Sequence, residues 1–275
     1  MLDLHTHSVF SDGSLIPAEL VQRAKNAGYS GVALTDHVDS CNISWVLDNL
    51  RRGLPQMAPH LGVDLFAGVE LTHVPPPLIQ ELTDWARANG ASLIVVHGET
   101  LAEPVPEGTN LAAIEAGADI LAHPGLISRE EAELAAEREV ALEISTRKGH
   151  CLANGHVARM AGMCGAPLVI NNDAHGPEDF VSRQKRQEIA QGAGLSQEEI
   201  QGRELPGLTR DFMQNSDLQD KLEEALNKGE NFDTGEFKIS GPHGTKTISL
   251  QGRIIRQDKD QPYRILINFL SKLDS

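Results

Sequence analysis

The sequence predicts an α/β fold, a barrel of seven parallel strands with intervening helices, followed by a small C-terminal α+β appendage of antiparallel strands. Three observations lead there. Seven short apolar segments recur within the first 175 residues, each running into a histidine or an acid. Helix-length stretches lie between these segments, so the order reads as repeated βαβ units and a parallel sheet. After about Gly202 the pattern stops, and alternating segments divided by turn residues take over.

The strands read Leu2–His7, Val32–His37, Leu65–Glu70, Leu93–His97, Ile120–His123, Val140–Glu143 and Leu168–His175. They are continuously apolar rather than alternating, as expected when helices cover both faces of the sheet. The first helix opens at Pro17 and stops at Gly28, the usual placing of Pro inside a helix start and Gly past its end. Pro77–Asn89 stops at Gly90, Asn110–Ala116 at Gly117 and Asn154–Cys164 at Gly165. Ser128 is an N-cap with Glu130 and Glu131 in the first turn, a favourable arrangement for the helix dipole. A last helix is expected from Pro177 to near Gly192. An open doubly wound sheet is the rival architecture, but it would concentrate its site at one switch point. Chemistry-bearing residues at the ends of all seven strands favour a barrel, whose strand C-termini open onto one face.

The chain is 275 residues long, enough for one large domain and an appendage. The expected division is 1–202 for the barrel and 203–275 for a linker, a helix at Asp217–Asn227 and a small antiparallel region. That region contains Glu236–Ser240, a Pro242-His243-Gly244 turn, Thr247–Leu250, Arg253–Ile255 and Tyr263–Ile267. At about 70 residues it is marginal for an independent core, so it is expected to pack on the barrel or on a second copy of the chain. Net charge is −15, which argues against a long nucleic-acid partner. Three cysteines, Cys41, Cys151 and Cys164, form no CxxC pair and point to a reducing compartment. Asp3 and His5 leave no room for a signal peptide, and no segment approaches the ~18 apolar residues of a membrane span. A cytoplasmic protein is the expectation.

His5-Thr6-His7 carries the sharpest local signal, because i and i+2 on an extended strand share a face and both imidazoles can reach one ion. Asp173-Ala174-His175 repeats that spacing. Asp12 follows in a Ser-Asp-Gly turn, and His37 ends the second strand after Asp36, which either orients a ligand or caps its turn. Glu70, His97 and His123 end the next three strands. Each residue taken singly is explained by a turn, a salt bridge or a core histidine. Together they would bury many ionisable groups side by side, at several kcal/mol per unpaired charge, a penalty that divalent ions remove.

In this order, the His-x-His with Ser-Asp-Gly, Thr-Asp-His, strand-end Glu, Val-His-Gly, Ala-His-Pro-Gly and Asp-Ala-His motifs resemble those of the polymerase-and-histidinol-phosphatase (PHP) superfamily. Glu143–His150 with Asn154-Gly155-His156 resembles its histidinol-phosphatase-like subgroup. The resemblance covers residues 1 to about 200. It implies a distorted (β/α)7 barrel with two to three divalent ions. His5, His7, Glu70 and Asp173 would hold the first; Glu70, His97 and His123 the second; and Asp12, His37 and His175 the third. Glu143 has no ligand role in the family. Residues after Gly202 show no PHP element, although the segments from 236 to 268 weakly resemble half of a PAS domain.

The function expected is hydrolysis of a small phosphate monoester by metal-bound hydroxide, with histidinol phosphate as the family-suggested substrate. Paired ions ~3.5–4 Å apart clamp the attacking and leaving oxygens and bring the pKa of bound water from ~15.7 towards ~7. Imidazole-rich ligation favours Zn, Mn or Fe over Mg. Asp12, His37, Glu70 and His175 are the catalytic candidates. Arg147 and Lys148 after the sixth strand, and Arg183 after the seventh, are the candidates for substrate phosphate, Arg being suited to bidentate contact. The alternatives are a nucleotide or oligonucleotide phosphoesterase, and a metal-bound regulatory or scaffolding module. C–N bond hydrolysis ranks lower, for want of a strand-end lysine. A homo-oligomer formed through the C-terminal region is left open.

Overall fold

The apolar segments become the parallel strands of one sheet. The computed structural model describes residues 1–196, 232–241, 244–255 and 264–271. The strands are β1 Leu2–Asp3, β2 Gly31–Leu34, β3 His37–Val38, β4 Asp64–Leu71, β5 Leu93–His97, β6 Ile120–Ala122, β7 Ala141–Ser145 and β8 Leu168–Asn171. Their order is β1-β2-β4-β5-β6-β7-β8, with β3 also on β4. β2 and β3 are one broken strand, because Leu34 faces Ala67 and His37 faces Glu70 in unbroken register. Thr35 and Asp36 interrupt it. Counted so, the sheet has the seven strands expected.

The barrel closes between β1 and β8 through side chains rather than a full ladder. A single parallel bridge joins Thr6 to Ala174. Beside it the Leu4 amide donates to Asn171 Oδ1 at 3.0 Å, and the Asn172 amide donates to Asp3 Oδ1 at 3.1 Å. This seam makes the barrel a distorted one and draws the ends of β1 and β8 together. Inside and around the strands lies a core that includes Ile94, Leu121, Leu142 and Ile144, all fully buried. Each such side chain contributes about 1.5–3 kcal/mol by leaving water.

The helices are α1 Pro17–Asn26, α2 Ile43–Leu61, α3 Pro76–Ala88, α4 Thr109–Glu115, α5 Arg129–Arg138, α6 Asn154–Cys164 and α7 Arg183–Gly192. Ser128 caps α5 in a capping box with Glu131. Two differences from the sequence reading have physical causes. The sequence set no bounds for α2: Pro55 and Pro59 lie within it and no side chain caps its start. Its buried Ile43, Val46, Leu47, Leu50 and Leu54 supply the helical stripe that outweighs the prolines. The last helix does not start at Pro177. Pro177–Asp179 is one 3₁₀ turn, Phe180 is extended, and α7 begins after Ser182, whose side chain accepts from the Lys185 amide.

The chain divides into two units, Met1–Ser196 and Gln197–Ser275. In the second, β9 Phe232–Gly241, β10 Gly244–Ile255 and β11 Arg264–Ser271 form an antiparallel sheet of order β11-β10-β9. Thr247–Leu250 and Arg253–Ile255 belong to the single strand β10, whose pairing with β9 shifts register between Ser249 and Gln251. The helix expected at 217–227 lies outside the described residues. No helix among the described residues is long and apolar enough to cross a membrane.

Candidate metal centre

Strand geometry gathers nine scattered residues at one end of the barrel. His5 and His7 follow β1, Glu70 lies near the end of β4, His97 ends β5, His123 follows β6, and Asp173 and His175 follow β8. His37 resumes the broken second strand. Asp12 comes from the loop after β1, which Asp36 holds in shape by accepting from the Ser8 amide at 2.7 Å and the Ser11 hydroxyl at 2.8 Å. Asp36 therefore braces the loop rather than a ligand. Gly13 closes the same loop so tightly that a Cβ there would fall on the His7 carbonyl.

The donor atoms form overlapping groups whose members all lie within 4.8 Å of one another: His5, His7 and Glu70; His5, His123 and Asp173; Glu70, His97 and His123; and His7, Asp12, His37 and His175. His5 Nε2 stands 3.2 Å from Glu70 Oε1, and His7 Nε2 is 3.1 Å from Asp173 Oδ1. His97 Nδ1 is 3.4 Å from Glu70 Oε1. At the mouth, His37 Nε2 and His175 Nε2 flank Asp12 Oδ1 at 3.3 and 3.1 Å. Ligands ~2.0–2.1 Å from a tetrahedral ion stand roughly 3.3 Å apart, so these spacings suit ligands of common ions.

Three imidazoles are oriented from behind. His5 Nδ1 is 2.9 Å from Glu143 Oε1, His37 Nδ1 is 2.6 Å from Thr72 Oγ1 and close to Glu70 Oε2, and His175 Nδ1 is 3.0 Å from the Asp173 carbonyl. In each ring Nε2 is the nitrogen left for the centre. Fixing Nδ1 in this way is how metal-binding histidines are held in one tautomer. His7, His97 and His123 are buried with neither ring nitrogen hydrogen-bonded, and Glu70 Oε1 and His5 Nε2 are likewise without a hydrogen bond. Leaving so many buried polar atoms unsatisfied costs about 1–3 kcal/mol each. A set of nitrogens and carboxylate oxygens converging in this way fits divalent cations. Two of the residues, His123 at φ 29° and Asp173 at φ 52°, hold uncommon positive backbone angles to reach their places.

Electrostatics at His7 and His123 agree with that chemistry. Burial, then His37, pushes His7 well below the ordinary histidine value; burial, then His97 and His150, does the same for His123. Neutral imidazole is the form that binds a metal. Burial also opposes charge on His5, but Glu143, Glu70 and Asp173 outweigh it and raise His5 well above the ordinary range. Asp173 is raised well above the ordinary carboxylate value by burial and by Glu70 and Glu143 beside it.

The basic candidates separate. Arg147 reaches the centre's edge: its Nη1 donates to the Asp173 carbonyl at 3.2 Å, its Nε is 3.6 Å from Asp173 Oδ2, and Asp179 is also 3.6 Å away. Lys148 is exposed on the same loop. Arg183 is not brought in. It starts α7 near the Met1 amine, at the opposite end of β1 from His5 and His7, because the chain after β8 descends the barrel before α7 begins. Sequence reasoning missed Glu103 and gave His150 no place at the site. Both lie at the rim, His150 Nε2 3.5 Å from Glu103 Oε1 and its ring 4.1 Å from that of His123. Neither ends a strand, and neither belongs to a motif that pointed to metal binding.

The PHP domain family model matches residues 3–81. An uncharacterized protein of Methanocaldococcus jannaschii, MJ1295, is 42% identical over 201 residues, covering 72% of this chain and 92% of that protein. The chain belongs to the PHP superfamily. Another relative of this PHP chain is ribonuclease P protein component 3 of Methanosarcina mazei, 29% identical over 216 residues, covering 72% of the chain and 82% of the relative. Among solved structures, a two-domain protein containing a predicted PHP-like metal-dependent phosphoesterase from Bacteroides vulgatus aligns with a TM-score of 0.42 and 15% identity, covering 98% of this chain and 84% of that one.

Proposed function

We propose that this PHP protein is a metal-dependent phosphoesterase whose preferred substrate is a small phosphate monoester of the histidinol-phosphate kind. The observation that carries the reading is the set of buried, unbonded imidazole nitrogens on His7, His97 and His123 around Glu70. His5, His7, Glu70 and Asp173 would hold one divalent ion, Glu70, His97 and His123 a second, and Asp12, His37 and His175 a third. Such ions supply a water nucleophile at neutral pH and offset charge on the phosphoryl oxygens.

The chain's own groups do the rest. Glu143, at His5 Nδ1, and the Asp173 carbonyl, at His175 Nδ1, orient the two rings so that Nε2 faces the centre. Glu70, fully buried, is shared between the first two groups and fixes their separation. Asp12, His37 and His175 stand at the open side, where a leaving alkoxide departs. Arg147, anchored by Asp173 and Asp179, is the basic group placed to meet a phosphate oxygen. Three carboxylates against three divalent ions leave a net positive site, suited to a phosphate dianion. Zn, Mn and Fe fit this donor set.

A second reading, hydrolysis of nucleotide or oligonucleotide phosphoesters, is favoured by the relative that is a ribonuclease P component. One experiment separates them. The full chain loaded with Mn or Zn is assayed against histidinol phosphate, other monoesters, nucleotides and short oligonucleotides, with and without chelator. Chelator-sensitive turnover led by a small monoester is expected. Turnover led by oligonucleotides would replace the first reading by the second, and no turnover of any substrate would overturn both.

A further inference from the structure

We propose that His73, His97 and Glu103 form an outer binding site for a further divalent cation, of the Zn2+ type, on the rim of the centre described above. Their donor atoms all lie within 4.8 Å of one another. Glu103 Oε2 is 3.3 Å from His97 Nε2 and 3.4 Å from His73 Nε2. Those separations match the roughly 3.3 Å between ligands of a tetrahedral ion with bonds of ~2.0–2.1 Å.

The second observation is His97 itself. Its side chain is 3% exposed, and neither nitrogen makes a hydrogen bond. Nδ1 faces Glu70 Oε1 at 3.4 Å, and Nε2 faces Glu103. The two nitrogens thus address two different donor groups on opposite sides of one ring. An ion held at Glu70 and His123 takes Nδ1 and leaves a buried Nε2 aimed outward with no hydrogen bond. The outer group answers it with two residues that have no place among the nine of the centre.

The chemistry of the outer group selects a cation. All the ion-pair partners of Glu103 given by the described residues are imidazoles, those of His73, His97 and His150, so no lysine or arginine neutralises it there. Two imidazoles and one carboxylate form a donor set used for zinc in sites that keep a coordination position open. His73 and Glu103 are 43% and 40% exposed, which leaves that position to water or to a ligand. Adjacent strands deliver the set, since His73 follows β4 and His97 ends β5. With the outer ion alone, His97 binds as neutral imidazole. With ions on both sides it bridges as imidazolate, and its ring proton passes to solvent.

The test counts ions rather than turnover, so failure of the phosphoesterase reading leaves it intact. Metal-free full-length wild type, His73→Ala and Glu103→Gln are titrated with Zn2+ against a chromophoric chelator, and with Co2+ to follow its d–d absorption. Both substituted side chains are well exposed, and thermal melts establish that each variant folds. The proposal expects each variant to bind one ion fewer than wild type and to keep the affinities of the remaining ions. Equal ion counts in all three proteins would overturn it. An unchanged count with weakened binding of an inner ion would also overturn it, since Glu103 would then merely orient His97.

Discussion

Replacing Glu143 by glutamine tests the centre from behind. Glu143 is fully buried and has no ligand role in the proposed assignment. Its Oε1 is 2.9 Å from His5 Nδ1 and accepts from Asn171 Nδ2 at 2.9 Å, while its Oε2 accepts from the His123 amide at 3.1 Å. Glutamine has the same shape but one acceptor oxygen. With that oxygen at the Oε1 position, the bonds to His5 and Asn171 persist and an NH2 group faces the His123 N–H. The His123 N–H and the glutamine NH2 are then both buried and unsatisfied, at about 1–3 kcal/mol each. The opposite flip leaves two donors facing an NH2 group and costs more. The lost negative charge also weakens the hold on His5. Removing such a supporting carboxylate lowers metal affinity by about 10–100-fold. Chelator competition measures the affinity, and denaturant melts of metal-free protein measure the stability. Wild-type affinity in Glu143→Gln would refute the claim that the charge of Glu143 strengthens the hold of His5 on the metal. A stability loss without an affinity loss would make it a packing residue only.

Three further outcomes follow from named contacts. His7→Ala should lower the metal content and abolish hydrolysis, because His7 is buried with both nitrogens unbonded; unchanged metal content by elemental analysis would remove it from the ligand set. Gly13→Ala should destabilise the fold by about 1–3 kcal/mol, since its Cβ would meet the His7 carbonyl and Ser8 amide rather than a yielding side chain, and an unchanged melting temperature would contradict that geometry. Burial, and then His97, lowers His150 from the ordinary 6.5 to about 4. The unfolded chain therefore binds the proton first, and the metal-free protein loses stability as pH falls through that window, by at most ~1.4 kcal/mol per pH unit from this group. His150→Gln should flatten that loss, and parallel wild-type and variant curves between pH 6.5 and 4 would show that His150 is not held neutral.

The strands and their terminal residues were legible because short apolar runs ending on His, Asp or Glu are local patterns. Most helices were legible too, from Pro and Gly at their ends. The bounds of α2 were not, since its prolines argue locally against a helix that only burial of the Ile43–Leu54 stripe rewards. Arg183 was assigned to the site by its place after a strand, but the extended Phe180 and the cap at Ser182 carry it to the other end of the barrel.

By itself the sequence determined which donor atoms the protein owns and that seven parallel strands would bring them to one face, because side-chain period and chain order settle both. Only the tertiary structure decided how each donor is used. His5 takes its orientation from Glu143, His37 from Thr72, and His97 meets Glu70 on one side and Glu103 on the other. Those partners come from other strands and loops. A ring nitrogen's role depends on what stands within hydrogen-bonding or ion-pairing reach of it, and sequence spacing carries no record of that.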